Sequence, residues 1–320
     1  MANETVQIGY RLFPITNKTH KAVYPAISPS NPSVSQSGKT VIITGATRGI
    51  GFETARAFAT AGAERVIILG RDQSKSESAA EELNQQTGRN VFEGRSCEIA
   101  SPASVDKLWD QLDSDGIDVD VIVLNAALTS QFGKMTDLGW EEVWKAYEVN
   151  VRSSHQFCDR LRKQALGQGR KKYVVNISTS AIHDFPAASY SPSYSLSKNS
   201  AALLLQLLAR ELPVSEMQFV SIHPGAILTP AAAELGVDET TLDWDDISLP
   251  SSTAVWAASE EAAFLNGRFI WAPWDVEELA SGELGKRLES DENFLRVGVH
   301  GLEYGAAKLS GPMSARPLSA

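Results

Sequence analysis

From Lys39 onward the chain alternates short apolar runs with longer mixed stretches. The runs are "KTVIITG" (39–45), "RVIILG" (65–70), "NVFEGRSC" (90–97), "VDVIVLNAA" (119–127), "KYVVNIS" (172–178), "MQFVSIHP" (217–224) and "GRFIWAP" (267–273). β-Branched runs of this length, closed by Gly, Ser or Pro, predict strands buried on both faces. Helices are expected between them, over 50–61, 75–86, 102–114, 139–165, 195–211 and 252–260. In the first, Phe52, Ala55 and Phe58–Ala59 share one side. Seven strands alternating with helices predict an α/β fold, a single-domain doubly wound parallel sheet of seven strands.

Two segments break the rhythm. Residues 1–37, with Pro14, Pro25, Pro29 and Pro32, are expected to form an N-terminal extension that wraps the body without joining its core. Residues 231–250, "AAAELGVDETTLDWDDISLP", are acidic and weakly patterned. They are expected to form a mobile lid, with Leu235, Leu242 and Trp244 available to close on an apolar substrate. The body extends over 38–300, and 301–320 is expected to be a loose tail.

Composition narrows the range of partners. Of 320 residues 43% are hydrophobic and 21% charged, ordinary for a globular protein, and the net charge is −10. Nucleic acid and anionic membranes, which need clustered Lys and Arg, are therefore not expected as partners. No apolar run approaches the about 20 residues of a membrane span, and the N-terminus lacks a signal-peptide pattern, so a cytoplasmic location is expected. Cys97 and Cys158 form no metal-binding spacing, so no metal is expected and both thiols read as free.

The first strand runs into "TGATRGIG", with Gly45, Gly49 and Gly51 between strand and helix. Glycines there let the backbone approach a pyrophosphate at a helix N-terminus. The spacing is G-x-x-x-G-x-G, and it resembles the short-chain dehydrogenase/reductase family. The resemblance covers roughly 38–275 and continues in order through "LNAA" (124–127), "EVNVRSS" with Asn150, "YSLSK" (194–198) and "HPGAILTP" (223–230). Leu124 and Ala127 depart from the family's Asn-Asn-Ala-Gly, while Asn125 is kept. "LNGRFIWAPWDVEELAS" near the C-terminus resembles NADP-dependent reductases of filamentous fungi, many linked to secondary metabolism.

That resemblance implies reversible hydride transfer between a nicotinamide cofactor and a small-molecule carbonyl or secondary alcohol, in a homo-oligomer, dimer or tetramer. It implies a cofactor site including Gly45, Arg48, Gly49, Ile50, Asn125, Ile227 and Thr229, with Glu98 either at the adenine or solvated before a helix capped by Ser101. At the end of the second strand, "ILGRD" puts Arg71 where an acid would select NAD. With Arg48 nearby, two guanidiniums suit the 2′-phosphate of NADP, unless a one-residue slip substitutes Asp72.

Tyr194 has Lys198 one helical turn along; Tyr190 has no lysine there and reads as packing. A phenol with an ordinary pKa near 10 donates protons readily, and an adjacent ammonium plus the positive nicotinamide ring would bring it down. Tyr194 is therefore the expected acid/base. By the family's register the substrate-orienting hydroxyl falls on Thr179, with Ser178 or Ser180 as alternatives. Asn150 is implied to hold a water linking Lys198 to solvent. His183 is expected to pack or hydrogen-bond within its loop. A dinucleotide sensor without turnover and an isomerase or dehydratase on the same fold remain alternatives.

Overall fold

The computed structural model describes residues 15–129, 133–164, 169–234 and 236–299. Its strands are β1 Thr40–Thr44, β2 Arg65–Gly70, β3 Phe92–Ser96, β4 Val121–Leu124, β5 Lys172–Ile177, β6 Met217–His223 and β7 Arg268–Trp271. All seven pair in parallel in one sheet, in the order β3-β2-β1-β4-β5-β6-β7. The helices are α1 Gly49–Thr60, α2 Gln73–Thr87, α3 Pro102–Ser114, α4 Met135–Tyr147, α5 Ser153–Lys163, α6 Phe185–Ala188, α7 Pro192–Glu211, α8 Pro230–Ala233, α9 Ser248–Ala257, α10 Val276–Leu279 and α11 Gly282–Ser290. The fold is the expected single-domain Rossmann arrangement.

Alternating side chains of each strand feed two cores. Val41, Ile43, Val66 and Ile68 face Phe58 and Trp256. Ile42, Ile67 and Leu69 face Trp109, Phe157 and Leu161. Layers on both faces explain why these runs are continuously apolar: neither side of a strand sees water. Side chains cap α2 and α3. Asp72 accepts from the Lys75 amide at the start of α2, and Ser101 accepts from the Ser104 amide at the start of α3.

Three expectations change. The helix expected over 139–165 is two helices joined by a π-turn, Glu148–Arg152. The side chain of Asn150 in that turn pairs with the backbone of Leu128, which pulls the turn out of α-helical register.

The second change concerns the N-terminal segment. Its described part, from Ile15, belongs to the core: Tyr24, Ile27 and Val34 are buried in the α1/α9 cluster. The buried Gln36 amide donates to the carbonyls of Val34, Val255 and Ala258. Prolines made this stretch read as linker, but the exposed β7 end needs cover, and Tyr24 supplies it by hydrogen bonds to the Trp274 carbonyl and the Val276 amide.

Third, the far end of 231–250 is anchored. Asp245 is buried, accepts from the Ala226 amide and donates its own amide to the Ala226 carbonyl, and Leu249 and Pro250 are buried in α9. Trp244, half-buried, donates its indole N–H to the Asp238 carbonyl. Leu235 and the tail 301–320 lie outside the described residues.

Candidate active site

Because every strand is parallel, all C-terminal ends open on one edge of the sheet. Strand order reverses between β1 and β4, and a crevice forms where the connections diverge to opposite faces. The connections after β1, β4, β5 and β6, loops together with the helices they enter, carry the residues singled out by sequence, except Arg71 and Glu98, which follow β2 and β3.

The glycine loop has the shape of a cradle. Gly45 and Gly49 have φ of +65° and +62°, which L side chains rarely adopt. At Gly51 a Cβ would lie 2.6 Å from Asn125 Nδ2 and 2.7 Å from the Gly45 carbonyl oxygen. Asn125 binds the cradle to β4 by donating its side-chain amide to the carbonyls of Thr44 and Gly45. Across the loop, Gly49 meets Thr229 and Pro230, the connection after β6. Thr229 caps α8 by accepting from the Ala232 amide; Ile227 is buried and Ile50 half-buried.

At the second strand, Arg71 is exposed as the first residue after β2, while Asp72 is committed to the α2 cap. Gly70, which sequence reasoning passed over, has no room for any side chain. A Cβ there would sit 2.7 Å from both Ser76 Oγ and Thr47 Cγ2. Arg48, at the N-cap of α1, forms an exposed 2.6 Å ion pair with Glu234. Glu98 is exposed and accepts from the Ala100 amide.

The catalytic candidates meet at the end of β5. Tyr194 and Lys198 lie one turn apart on α7, with Lys198 Nζ 6.0 Å from the centre of the phenol ring. Lys198 is buried and donates to the Ile177 carbonyl at 2.7 Å. Asn150, also buried, donates to Ser197 Oγ at 2.9 Å and to the Leu128 carbonyl, and accepts from the Leu128 amide. Both of its amide protons are spent, so its side chain ties the post-β4 loop to α7. Its carbonyl accepts from Ser154 Oγ.

The three hydroxyls differ. Ser178 Oγ is buried and finds no hydrogen-bond partner among the described residues. Thr179 is half-buried, and its Oγ1 accepts from the Ala181 amide, which leaves the O–H proton to donate. Ser180 is held through its backbone, its amide donating to His223 Nδ1 at 3.1 Å. Tyr190, expected to pack, is 71% exposed. His183 Nε2 accepts from the Trp271 indole at 3.1 Å.

Protonation departs from the sequence-based picture. Burial pushes the Tyr194 phenol up to about 12 and the Lys198 ammonium down to about 8. The Tyr–Lys pair by itself therefore does not bring the phenol down; desolvation outweighs the ammonium 6.0 Å away.

Residues 39–240 match the family model for short-chain dehydrogenases. The chain belongs to the short-chain dehydrogenase family. Among curated relatives, the short chain dehydrogenase/reductase AacuD of Aspergillus aculeatus is 32% identical, over 89% of this chain and 96% of its own length. A short chain dehydrogenase/reductase of Claviceps purpurea is 33% identical over 91% of this chain and 96% of its own. Among solved structures, a 7α-hydroxysteroid dehydrogenase complexed with NADH and 7-oxo glycochenodeoxycholic acid superposes with a TM-score of 0.66. It is 25% identical and covers 76% of this chain and 95% of its own.

Membership makes the chain an oxidoreductase that binds a nicotinamide cofactor, and the cradle fits one. Side chains are excluded by contact at Gly51 and Gly70, and two positive-φ glycines bare the backbone at the N-terminus of α1. No helix among the described residues is long and apolar enough to cross a membrane, and none of their His, Cys, Asp and Glu groups clusters to hold a metal.

His223, on the last position of β6, was not singled out by sequence, although "HPG" displays it. Burial, assisted by His183, holds its imidazole down to about 3, so it is neutral in the folded chain. An unfolded histidine titrates near 6.5, so between those values the unfolded chain binds the extra proton. The stability this contributes is complete above about 6.5 and is lost as pH falls toward 3. His223→Asn should therefore lose less unfolding free energy than the wild type between neutral pH and pH about 4. Urea titrations across that range measure it; parallel curves would mean His223 titrates normally.

Proposed function

We propose that this short-chain dehydrogenase transfers a hydride between NADP(H) and the carbonyl or secondary alcohol of a small molecule. The observation that carries the proposal is the Tyr194–Lys198 pair on one helical turn, its lysine drawn onto the Ile177 carbonyl beside the crevice. A surface pair would cost nothing to keep. A buried amine with a depressed pKa costs stability, and such groups concentrate at sites of proton transfer.

In the reductive direction NADPH, when bound, would supply the hydride, and Tyr194, held protonated by burial, would deliver its proton to the carbonyl oxygen. The Thr179 hydroxyl donates to that oxygen and orients it. Ser178, with its hydroxyl sealed from solvent, supports the strand end. In the oxidative direction, the positive ring of bound NADP+ would add to the Lys198 charge and oppose the desolvation that raises Tyr194. Asn150 holds α7 in register with the post-β4 loop. Gly45, Arg48, Gly49, Ile50, Asn125, Ile227 and Thr229 form the cofactor bed, and Arg71 answers the 2′-phosphate. The commitment of Asp72 to the Lys75 amide supports that last assignment, since it withdraws the neighbouring acid. A natural-product carbonyl compound as the substrate class rests on the resemblance of "LNGRFIWAPWDVEELAS" to fungal reductases linked to secondary metabolism.

A homo-oligomer is supported by an apolar face on α4 and α7. Trp140 and Trp144 are 72% and 59% exposed, and Leu203 and Leu207 of α7 are exposed as well. Tyr147, stacked on Trp144, bonds to Ser200 and joins the two helices. Patches of this kind mark association surfaces. Trp144→Asp should convert the oligomer to monomer by sedimentation equilibrium; a monomeric wild type would end the idea.

Tyr194→Phe should lower kcat by about a hundredfold or more, the usual worth of a positioned acid, with NADPH affinity nearly unchanged. The measurement is NADPH absorbance against a panel of ketones, aldehydes and quinones. Retention of full turnover would remove Tyr194 from the chemistry.

Arg71→Ala should weaken NADPH by about tenfold, the loss of one charge-assisted bond, and leave NADH affinity as it was. Equal losses for both cofactors would show that Arg71 does not read the phosphate.

A further inference from the structure

The Thr179 hydroxyl sits at the mouth of a tight turn, Ser180–Ile182, closed internally by the Ile182 and His183 amides donating to the Thr179 and Ser180 carbonyls. It is held from outside by three elements. From β6, His223 Nδ1 accepts the Ser180 amide at 3.1 Å. From β7, the Trp271 indole donates to His183 Nε2 at 3.1 Å, and the Trp271 ring meets the His223 ring edge-to-face at 4.6 Å. From α7, Asn199 Nδ2 donates to the Ile182 carbonyl at 2.8 Å. Asn199 directly follows Lys198, so the turn is tied to the catalytic helix as well as to the sheet.

The tautomers follow without ambiguity. A backbone amide and an indole N–H can only donate. His223 Nδ1 and His183 Nε2 must therefore both be unprotonated, and each imidazole carries its proton on the other nitrogen. His223 is buried against the Trp271 ring, where a charged imidazolium would be costly; neutrality keeps Nδ1 an acceptor.

We propose that His223 is a positioning residue: by accepting the Ser180 N–H on Nδ1 it fixes the turn that presents the Thr179 hydroxyl to the substrate carbonyl. His223 touches neither substrate nor cofactor in this role. Thr179 is the first residue beyond the β5–β6 ladder, where Ser178 donates its amide to the Ile222 carbonyl. Beyond that point the His223 bond is the next link between the two strands. Without it the threonine pivots at a strand end, and a displacement of about 1 Å at a positioning group can cost on the order of a hundredfold in rate. The proposal rests on the reading of Tyr194 and Thr179 given above.

Two substitutions of similar polarity separate the role from general stability. Asn places its carbonyl oxygen where Nδ1 lies, and Gln places it where Nε2 lies. His223→Asn should keep most of the wild-type kcat. His223→Gln should lower kcat about tenfold or more, with KM for NADPH unchanged. Turnover is read with NADPH and phenanthrenequinone, alongside Tyr194→Phe as the control. Amide exchange at Ser180, followed by NMR on isotope-labelled protein without ligand, should be slow in the wild type and His223→Asn and faster in His223→Gln. Slow exchange in all three proteins would refute the hydrogen bond as the clamp. Faster exchange with undiminished turnover, or equal turnover of the Asn and Gln variants, would refute positioning. If Tyr194→Phe is as active as the wild type, the failure lies with the active-site reading, and the exchange data still judge the clamp.

Discussion

A buried ammonium donating to the carbonyl at the end of β5 is the interaction on which the site depends. Lys198 gives up hydration to reach Ile177, and one neutral carbonyl does not replace a water shell. The penalty is visible as a base held down to about 8. What the fold gains is geometric. The bond joins α7 to the tip of the central sheet, so Tyr194, one turn back, cannot drift along the helix axis. The Asn150–Ser197 bond fixes the same helix from the other side, through the π-turn and Leu128. Two buried polar links give this segment of α7 one position rather than several.

This arrangement was only partly legible in the sequence. Strand runs announced themselves because a sheet covered on both faces demands unbroken apolar stretches, and Tyr194–Lys198 did so because helical periodicity puts positions four apart on one face. The π-turn could not be read, since an ordinary amphipathic pattern runs through 139–165 and only the tertiary bond between Asn150 and Leu128 breaks it. Nor could periodicity distinguish Ser178 from Thr179. At a strand end successive side chains point to opposite sides, and the assignment turns on the exact residue where the ladder stops. The effect of burial on Tyr194 was not legible for another reason: spacing reveals a partner, but desolvation depends on everything packed around it.

The cofactor end shows how absence of a side chain carries information. Sequence reasoning looked for the residue that would contact a phosphate and found Arg71. One residue earlier, Thr47 of the glycine loop and Ser76 of α2 close over Gly70. Asp72, the only acid within reach of a slipped register, is withdrawn by its bond to the Lys75 amide. Packing therefore shapes this corner of the crevice on both sides of Arg71.

The opposite edge of the sheet has a different problem. β7 is the last strand, and its outer backbone groups would offer a template for another chain. Three segments occupy it. The Phe269 amide donates to the Leu295 carbonyl, Arg268 donates to the Leu288 carbonyl, and the N-terminal segment bonds to the turn after β7 through His20, Tyr24 and Thr19. His20 stacks on Tyr24 at 3.6 Å and pairs with the Asp275 carboxylate at 2.8 Å, while Trp271 stacks on Trp274 at 5.7 Å. A strand so covered cannot slide. Trp271, at its C-terminal tip, is therefore a rigid support, and the imidazoles of His183 and His223 rest on it. Proline-rich sequence that looked like a linker thus belongs to the same mechanical chain as the turn after Thr179. Cover on β7 holds Trp271, Trp271 orients the two histidines, and the histidines hold the turn behind Thr179.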